Sequence, residues 1–148
     1  MSRTRLGLLA GAARAFAEQG LRRSTMQSVA AAAGVAKATL YNHFRTKDEV
    51  ASALLAAELD RLTAVAAGLP LEQALATLSD ELGAHPVLRR LAGTEPEALT
   101  ARLAVALRLD PDVAELAGRW LLGVVLQPGR STTRHRHAAR LAAALTTG

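Results

Sequence analysis

Between Thr25 and Lys47 the chain reads TMQSVAAAAGVAKATLYNHFRTK. Lys37, Tyr41, Asn42 and His43 crowd into its centre, with Ala38 and Thr39 between them. Lys37 and His43 can meet an anion. Thr39 and Tyr41 offer hydroxyls, and Asn42 can bond a base edge through both halves of its amide. Leu40 and Phe44 stand four apart, so a helix here turns them inward and leaves the polar set outside. Such a helix suits the major groove of double-stranded DNA. Small side chains and base-edge donors face the groove there, while cations and hydroxyls face the backbone. Lys37, Ala38, Tyr41 and Asn42 point to the groove, with Thr39 and His43 near its walls.

Other chemistries find no support. There is no cysteine, hence no disulfide, thiolate site or Cys nucleophile. No catalytic serine triad, phosphate loop or metal-ligand spacing stands out, so no catalytic residue, metal or cofactor is expected. His135 and His137 in Arg134-His-Arg-His sit at i and i+2, on different faces of a helix, with no carboxylate close in sequence. With Arg130, Arg136 and Arg140 they read as a solvated basic face. Asp80-Glu81 and Glu95/Glu97 read as surface and capping groups. No apolar run approaches the ~18 residues of a membrane span, and no signal peptide is visible, so the expected location is cytoplasmic, away from membranes.

Charge singles out the same stretch. Net charge is +5 over 148 residues. Residues 1–50 hold eight bases against three acids, whereas residues 51–148 hold ten of each. All the excess sits around the motif, where attraction to phosphate needs it.

The elements that must position it are helical. Half the residues are apolar, mostly Ala and Leu, and Val, Ile and aromatics are sparse. A first helix runs from about Ser2 or Thr4 to Gln19, with Leu6, Leu9, Ala13, Phe16 and Ala17 inward, and Gly20 ends it. Ser24 (with Gln27 in a capping box) or Thr25 caps the second. Val29, Ala30 and Ala33 face the core. Gly34 takes the left-handed turn that glycine adopts without cost, and Val35 plugs the core behind it. Thr46 and Glu49 frame the start of a long helix reaching about Ala67, with Leu55, Leu59, Leu62 and Ala66 on one face. Further helices follow: Leu71 to Leu82, closed by Gly83; Pro86 to Leu91, closed by Gly93; a stretch capped by Thr94 and running to about Leu109; one opened by Asp110-Pro111; and Thr132 to Leu145.

Val29-Ala30, Ala33-Gly34-Val35, Lys37-Ala38-Thr39-Leu40-Tyr41, His43-Phe44 and Lys47 resemble the DNA-binding region of the TetR-type transcriptional regulators. The resemblance covers roughly residues 5–50. It implies phosphate contacts from Thr25, Thr39, His43 and Lys47, with Tyr41 on the backbone or a thymine methyl. It places Gln27, Lys37 and Ala38 at specificity positions. Where the family often caps the recognition helix with Ser or Thr, this chain has Ala36, and a lost cap costs ~0.5–2 kcal/mol.

The expected architecture is all-α, with about nine helices. Residues 1–47 form a three-helix helix-turn-helix head, and residues 48–148 a helical dimerisation and effector-binding bundle joined to it by the long helix. The resemblance puts a homodimer face on the last two helices, here Val113, Ala117, Trp120, Leu121, Val124, Ala138, Leu141, Ala142 and Leu145, with Gly118 and Gly123 allowing close approach. A small, mostly apolar effector would meet Leu59, Leu62, Leu78, Leu82, Leu88, Leu103, Leu107 and Trp120, with His85 or Arg102 as polar handles. The implied function is a dimeric repressor on a near-palindromic operator, released by that effector. The alternatives are a DNA-binding dimer without a pocket, and a helical protein–protein adaptor. The part after the head is short for the family, which leaves less room for a cavity of several hundred Å3.

Overall fold

A chain this rich in Ala and Leu folds into helices alone, with no strand among the described residues. The structure, a computed structural model, describes residues 2–84 and 96–146. Its helices are α1 (Arg3–Gln19), α2 (Met26–Ala33), α3 (Lys37–His43), α4 (Lys47–Ala66), α5 (Leu71–Ala84), α6 (Pro96–Ala106), α7 (Pro111–Leu126) and α8 (Ser131–Thr146). The expected helix from Pro86 to Leu91, with Gly93 and Thr94, lies outside the described residues. The chain divides into two compact units, Met1–Ala57 and Glu58–Gly148. The border expected from sequence, at 47/48, falls earlier, at the start of α4.

In the first unit, α1 buries Leu9 and Phe16 as expected, but its inward stripe lies to one side of the expected one. Leu8, Leu9, Ala12, Ala15 and Phe16 are buried, whereas Leu6 is 51% exposed and Ala17 is on the surface. Both stripes have helical period, and Gly11 decides between them. A Cβ on Gly11 would lie 2.5 Å from the Ala33 Cβ and 2.6 Å from its backbone. The two helices therefore meet through bare backbone on the Gly11 face.

The caps also differ in detail. The Ser24 side chain is buried, its hydroxyl within reach of the Gly20 and Ala15 carbonyls at 2.7 and 3.2 Å. It anchors the loop, so the cap of α2 falls to Thr25. Thr25 Oγ1 accepts from the Ser28 amide at 3.0 Å, and Ser28 Oγ accepts from the Thr25 amide at 2.9 Å. Gln27 takes no part in the box. Gly34 ends α2 in the left-handed region at φ 69°, and Arg14 Nη2 donates to the Ala32 carbonyl at 2.6 Å. At α4, Thr46 Oγ1 accepts from the Glu49 amide, but Glu49 returns its bond to Arg45, one residue earlier than a capping box would.

In the second unit α5 is the hub. It buries Ala74, Leu75, Leu78, Ser79 and Leu82 and packs against both α7 and α8, while α6 packs on α7. It runs through Gly83 to Ala84 instead of stopping there. α6 ends sooner than expected. Arg108 enters the left-handed region (φ 51°), and the Leu109 amide reaches back to the Ala104 carbonyl at 3.1 Å, closing the helix with a Schellman-type turn. Asp110 caps α7, with Pro111 in its first turn.

One polar anchor joins α5 to α8. Arg134 Nη2 donates to Asp80 Oδ1 at 2.9 Å, and His135 Nε2 lies 2.8 Å from Asp80 Oδ2. Arg134 Nη1 also donates to the carbonyls of Pro128 and Gly129, fixing the turn between α7 and α8. The basic run is therefore not a wholly solvated face, because its carboxylate partner comes from a distant helix. Partial burial pushes the Asp80 carboxyl up, but hydrogen bonds from Arg134 and then His135 outweigh it and hold the group below the usual carboxylate range.

Two outcomes follow from this packing. Gly11→Ala should lose about 1–3 kcal/mol of stability through overpacking, whereas Gly7→Ala, with nothing within 4 Å, should be neutral or stabilising by about 0.5–1 kcal/mol; urea unfolding followed by circular dichroism distinguishes them. The lowered Asp80 value contributes stability above the unfolded value of ~3.9 and loses it as pH falls through the folded one. Wild type should therefore exceed Asp80→Asn in unfolding midpoint at neutral pH, and the two should converge below about pH 4.

Candidate nucleic-acid interface

Two short helices and a left-handed glycine build the site. Val29 and Ala30 are buried on α2 and Leu40 on α3, while Phe44, which caps the end of α3, is 3% exposed. The Gly34 amide bonds the Ala31 carbonyl and the Val35 amide bonds the Ala30 carbonyl at 3.0 Å, which sets the angle between α2 and α3. With Leu40 and Phe44 held inside, the opposite face of α3 points outward. Lys37, Ala38, Tyr41, Asn42 and His43 are exposed there, and Thr39 is half-buried. Tyr41 keeps 45% of its surface in solvent, an unusual position for a large ring. Lys37 Nζ stands 5.9 Å from its centroid.

Thr25, Gln27 and Lys47 flank this face. The Thr25 oxygen accepts the cap bond of α2, which leaves its hydroxyl proton free to donate. Gln27 is exposed on the first turn of α2. Lys47, first residue of α4, is half-buried, and its Nζ donates to the Arg22 carbonyl at 3.2 Å, tying the end of the interface to the loop before α2. Among the described residues no cation of the first unit pairs with a carboxylate, so the positive charge around α3 is not neutralised internally. The start of α3 has no side-chain cap, since Ala36 offers no acceptor.

Among the described residues, those expected at an effector site are not drawn together around one cavity. Leu59, Leu62, Leu78, Leu82 and Leu103 are no more than 2% exposed and are packed core. Leu107 is half-buried, and His85 and Leu88 lie outside the described residues. Arg102 pairs with Asp60. Most of the open space lies beside these residues, although Arg102 and Trp120 each border a cleft. A cleft of about 600 Å3 between α6 and α7 is lined by Thr100, Ala101, Ala104, Ala114 and Leu122, with Glu97, Glu115 and Arg119. A second, of about 500 Å3, is lined by Asp60, Thr63, Ala98, Arg102 and Val105.

The expected dimer face divides in two. Ala117, Leu121, Val124, Ala138 and Ala142 are buried within the single chain, because α7 and α8 both pack on α5. Gly118 is likewise used internally, where an added Cβ would meet Thr100 Oγ1 at 2.5 Å. Val113, Trp120, Leu141 and Leu145 are half-buried, and Gly123 is open. Leu116 and Leu126 are 55% and 71% exposed, and neither was among the expected face residues. Leu116 shares the helical spacing of Val113, Ala117, Trp120 and Leu121 on α7, and periodicity alone does not say which edge of that run faces out.

The first unit is thus a helix-turn-helix head with an exposed, unneutralised second helix. Residues 8–54 match the family model described as bacterial regulatory proteins, tetR family. The HTH-type transcriptional repressor KstR2 of Mycobacterium tuberculosis is 46% identical over 57 residues, 38% of this chain and 28% of that protein. The HTH-type transcriptional repressor Rv1474c of the same species is 34% identical over 107 residues, 71% of this chain and 51% of that protein. The chain thus spans about half, or less, of the length of these curated relatives. A TetR transcriptional regulator from Rhodococcus sp. RHA1 shares the fold at a TM-score of 0.71 and 19% identity, over 97% of this chain and 96% of that one. Residues 8–54 are thus a DNA-binding head of the TetR family of bacterial regulators, and the chain as a whole shares the fold of a TetR transcriptional regulator.

Restoring the missing cap tests the reading of α3. Ala36→Ser should stabilise the chain by about 0.5–2 kcal/mol and slow amide exchange in α3, read by urea unfolding and by hydrogen exchange.

Proposed function

We propose that the chain is a one-component transcriptional repressor that binds a near-palindromic operator as a homodimer. The observation that carries the proposal is the exposed face of α3, polar and aromatic, with unpaired cations around it in a head otherwise short of acids. Lys37, Ala38 and Asn42 read bases, with Gln27 beside them. Thr25, Thr39, Tyr41, His43 and Lys47 hold phosphates, which position the helix without reading sequence. The two Mycobacterium tuberculosis relatives are named as repressors, which supports repression over activation.

Dimerisation uses the outer edge of the α7–α8 pair, where Val113, Leu116, Trp120, Leu141 and Leu145 retain accessible apolar surface. A matching pair from a second copy would cover it in a four-helix contact. A small, mostly apolar effector would occupy the α6–α7 cleft, whose volume falls within the range of small-molecule sites. α4, which belongs to both units, is the route by which its binding would reach the head. The packed leucines of the second unit favour a second reading, in which the bundle dimerises and senses no ligand.

Selection from random DNA with the full chain tests the core of the proposal. Enrichment of paired half-sites is the expected result, with centres about 34–36 Å or a multiple apart. Failure to enrich any sequence, together with binding that ignores salt, would instead favour a protein–protein adaptor. On the enriched duplex, Tyr41→Ala and Lys47→Ala should weaken binding to all sequences alike. Lys37→Ala and Gln27→Ala should change base preference, by about 1–3 kcal/mol at the affected position.

A further inference from the structure

Arg5 belongs to the first turn of α1, outside the helix-turn-helix itself, yet its side chain reaches the recognition helix. Its Cζ stands 4.7 Å from the centroid of the Phe44 ring. That ring is fixed: Phe44 is 3% exposed, and its amide closes α3 on the Leu40 carbonyl at 3.0 Å. The backbone beneath Arg5 is fixed as well, since its amide donates to Ser2 Oγ at 3.2 Å. The His43 ring lies 6.5 Å from the same Phe44 ring, so Phe44 links the guanidinium to the exposed end of α3.

A guanidinium held over a ring by cation–π attraction forms no hydrogen bond to it and leaves its N–H donors available. No carboxylate pairs with Arg5 among the described residues, and the side chain is half-buried, not enclosed. A long cation that would otherwise sample many rotamers is thus held in one place with its donors unspent. That arrangement suits a doubly oxygenated anion at the end of the recognition helix.

We propose that Arg5 is a further phosphate-contacting residue of the interface, pre-oriented by Phe44 and independent of base sequence. The inference rests on the DNA-binding reading above and extends the phosphate clamp from α2–α4 to the start of α1. Because the stack is formed before contact, little side-chain freedom is lost on binding.

The test uses the full chain and a fluorescein-labelled duplex of random sequence, titrated by anisotropy over a series of salt concentrations. Arg5→Ala should weaken binding several-fold and reduce the slope of log K against log salt by about 0.9, one phosphate contact. Arg5→Lys should keep most of the slope. Arg140→Ala removes the same charge from an exposed position on α8 and should leave the slope unchanged. If Arg5→Ala lowers the melting temperature, Arg5→Met, which keeps the stem on the ring, takes its place. An unchanged slope, or an equal loss from Arg140→Ala, would overturn the assignment while leaving DNA binding intact. Absence of wild-type binding to the duplex even at low salt would instead reject the DNA-binding reading on which it rests.

Discussion

Gly11 and Ala33 meet where no side-chain carbon fits between them, and the geometry of the head depends on that approach. A glycine inside a helix costs about 0.5–1 kcal/mol relative to alanine, so α1 tolerates a local weakness to let α2 lie directly on its backbone. Gly34 then turns the chain immediately after Ala33, and α3 leaves in a direction set by that seat. The outward face of α3 is thus determined several residues away, at a contact that holds no polar atom of the interface itself.

Much of the head was legible because its signals are local and redundant. Gly34 in a left-handed turn, Leu40 and Phe44 four apart and Thr46 before an acidic first turn each say the same thing about chain direction. The errors arose where the sequence offered two equal choices. In α1, apolar stripes containing Leu6 or Leu8 have the same period, and only the partner helix at Gly11 separates them. Ser24 and Thr25 are both good caps, and the buried carbonyls of Ala15 and Gly20 draw Ser24 away.

The second unit was less legible because its organisation is non-local. Asp80 looked like a surface acid until α8 supplied Arg134 and His135 from 54 and 55 residues away. Leu59, Leu62, Leu78, Leu82 and Leu103 have the apolar character and helical spacing that a pocket lining would need. Those properties also describe a packed core, and only the positions of neighbouring helices tell the two apart. On α7, Ala117 and Leu121 turn toward α5 while Leu116 turns away, a distinction that one helix cannot express by itself.

The segregation of charge has a kinetic side. The head carries the whole net charge of the chain, because the acids and bases of residues 51–148 balance. A polyanion therefore attracts the first unit more than the second, and diffusional encounters are biased toward contact through that unit. Orientation, which ordinarily slows the docking of two specific patches by orders of magnitude, is partly settled before contact. Added salt shortens the reach of that field to within about 8–10 Å, so the advantage belongs to the approach and fades once the surfaces touch.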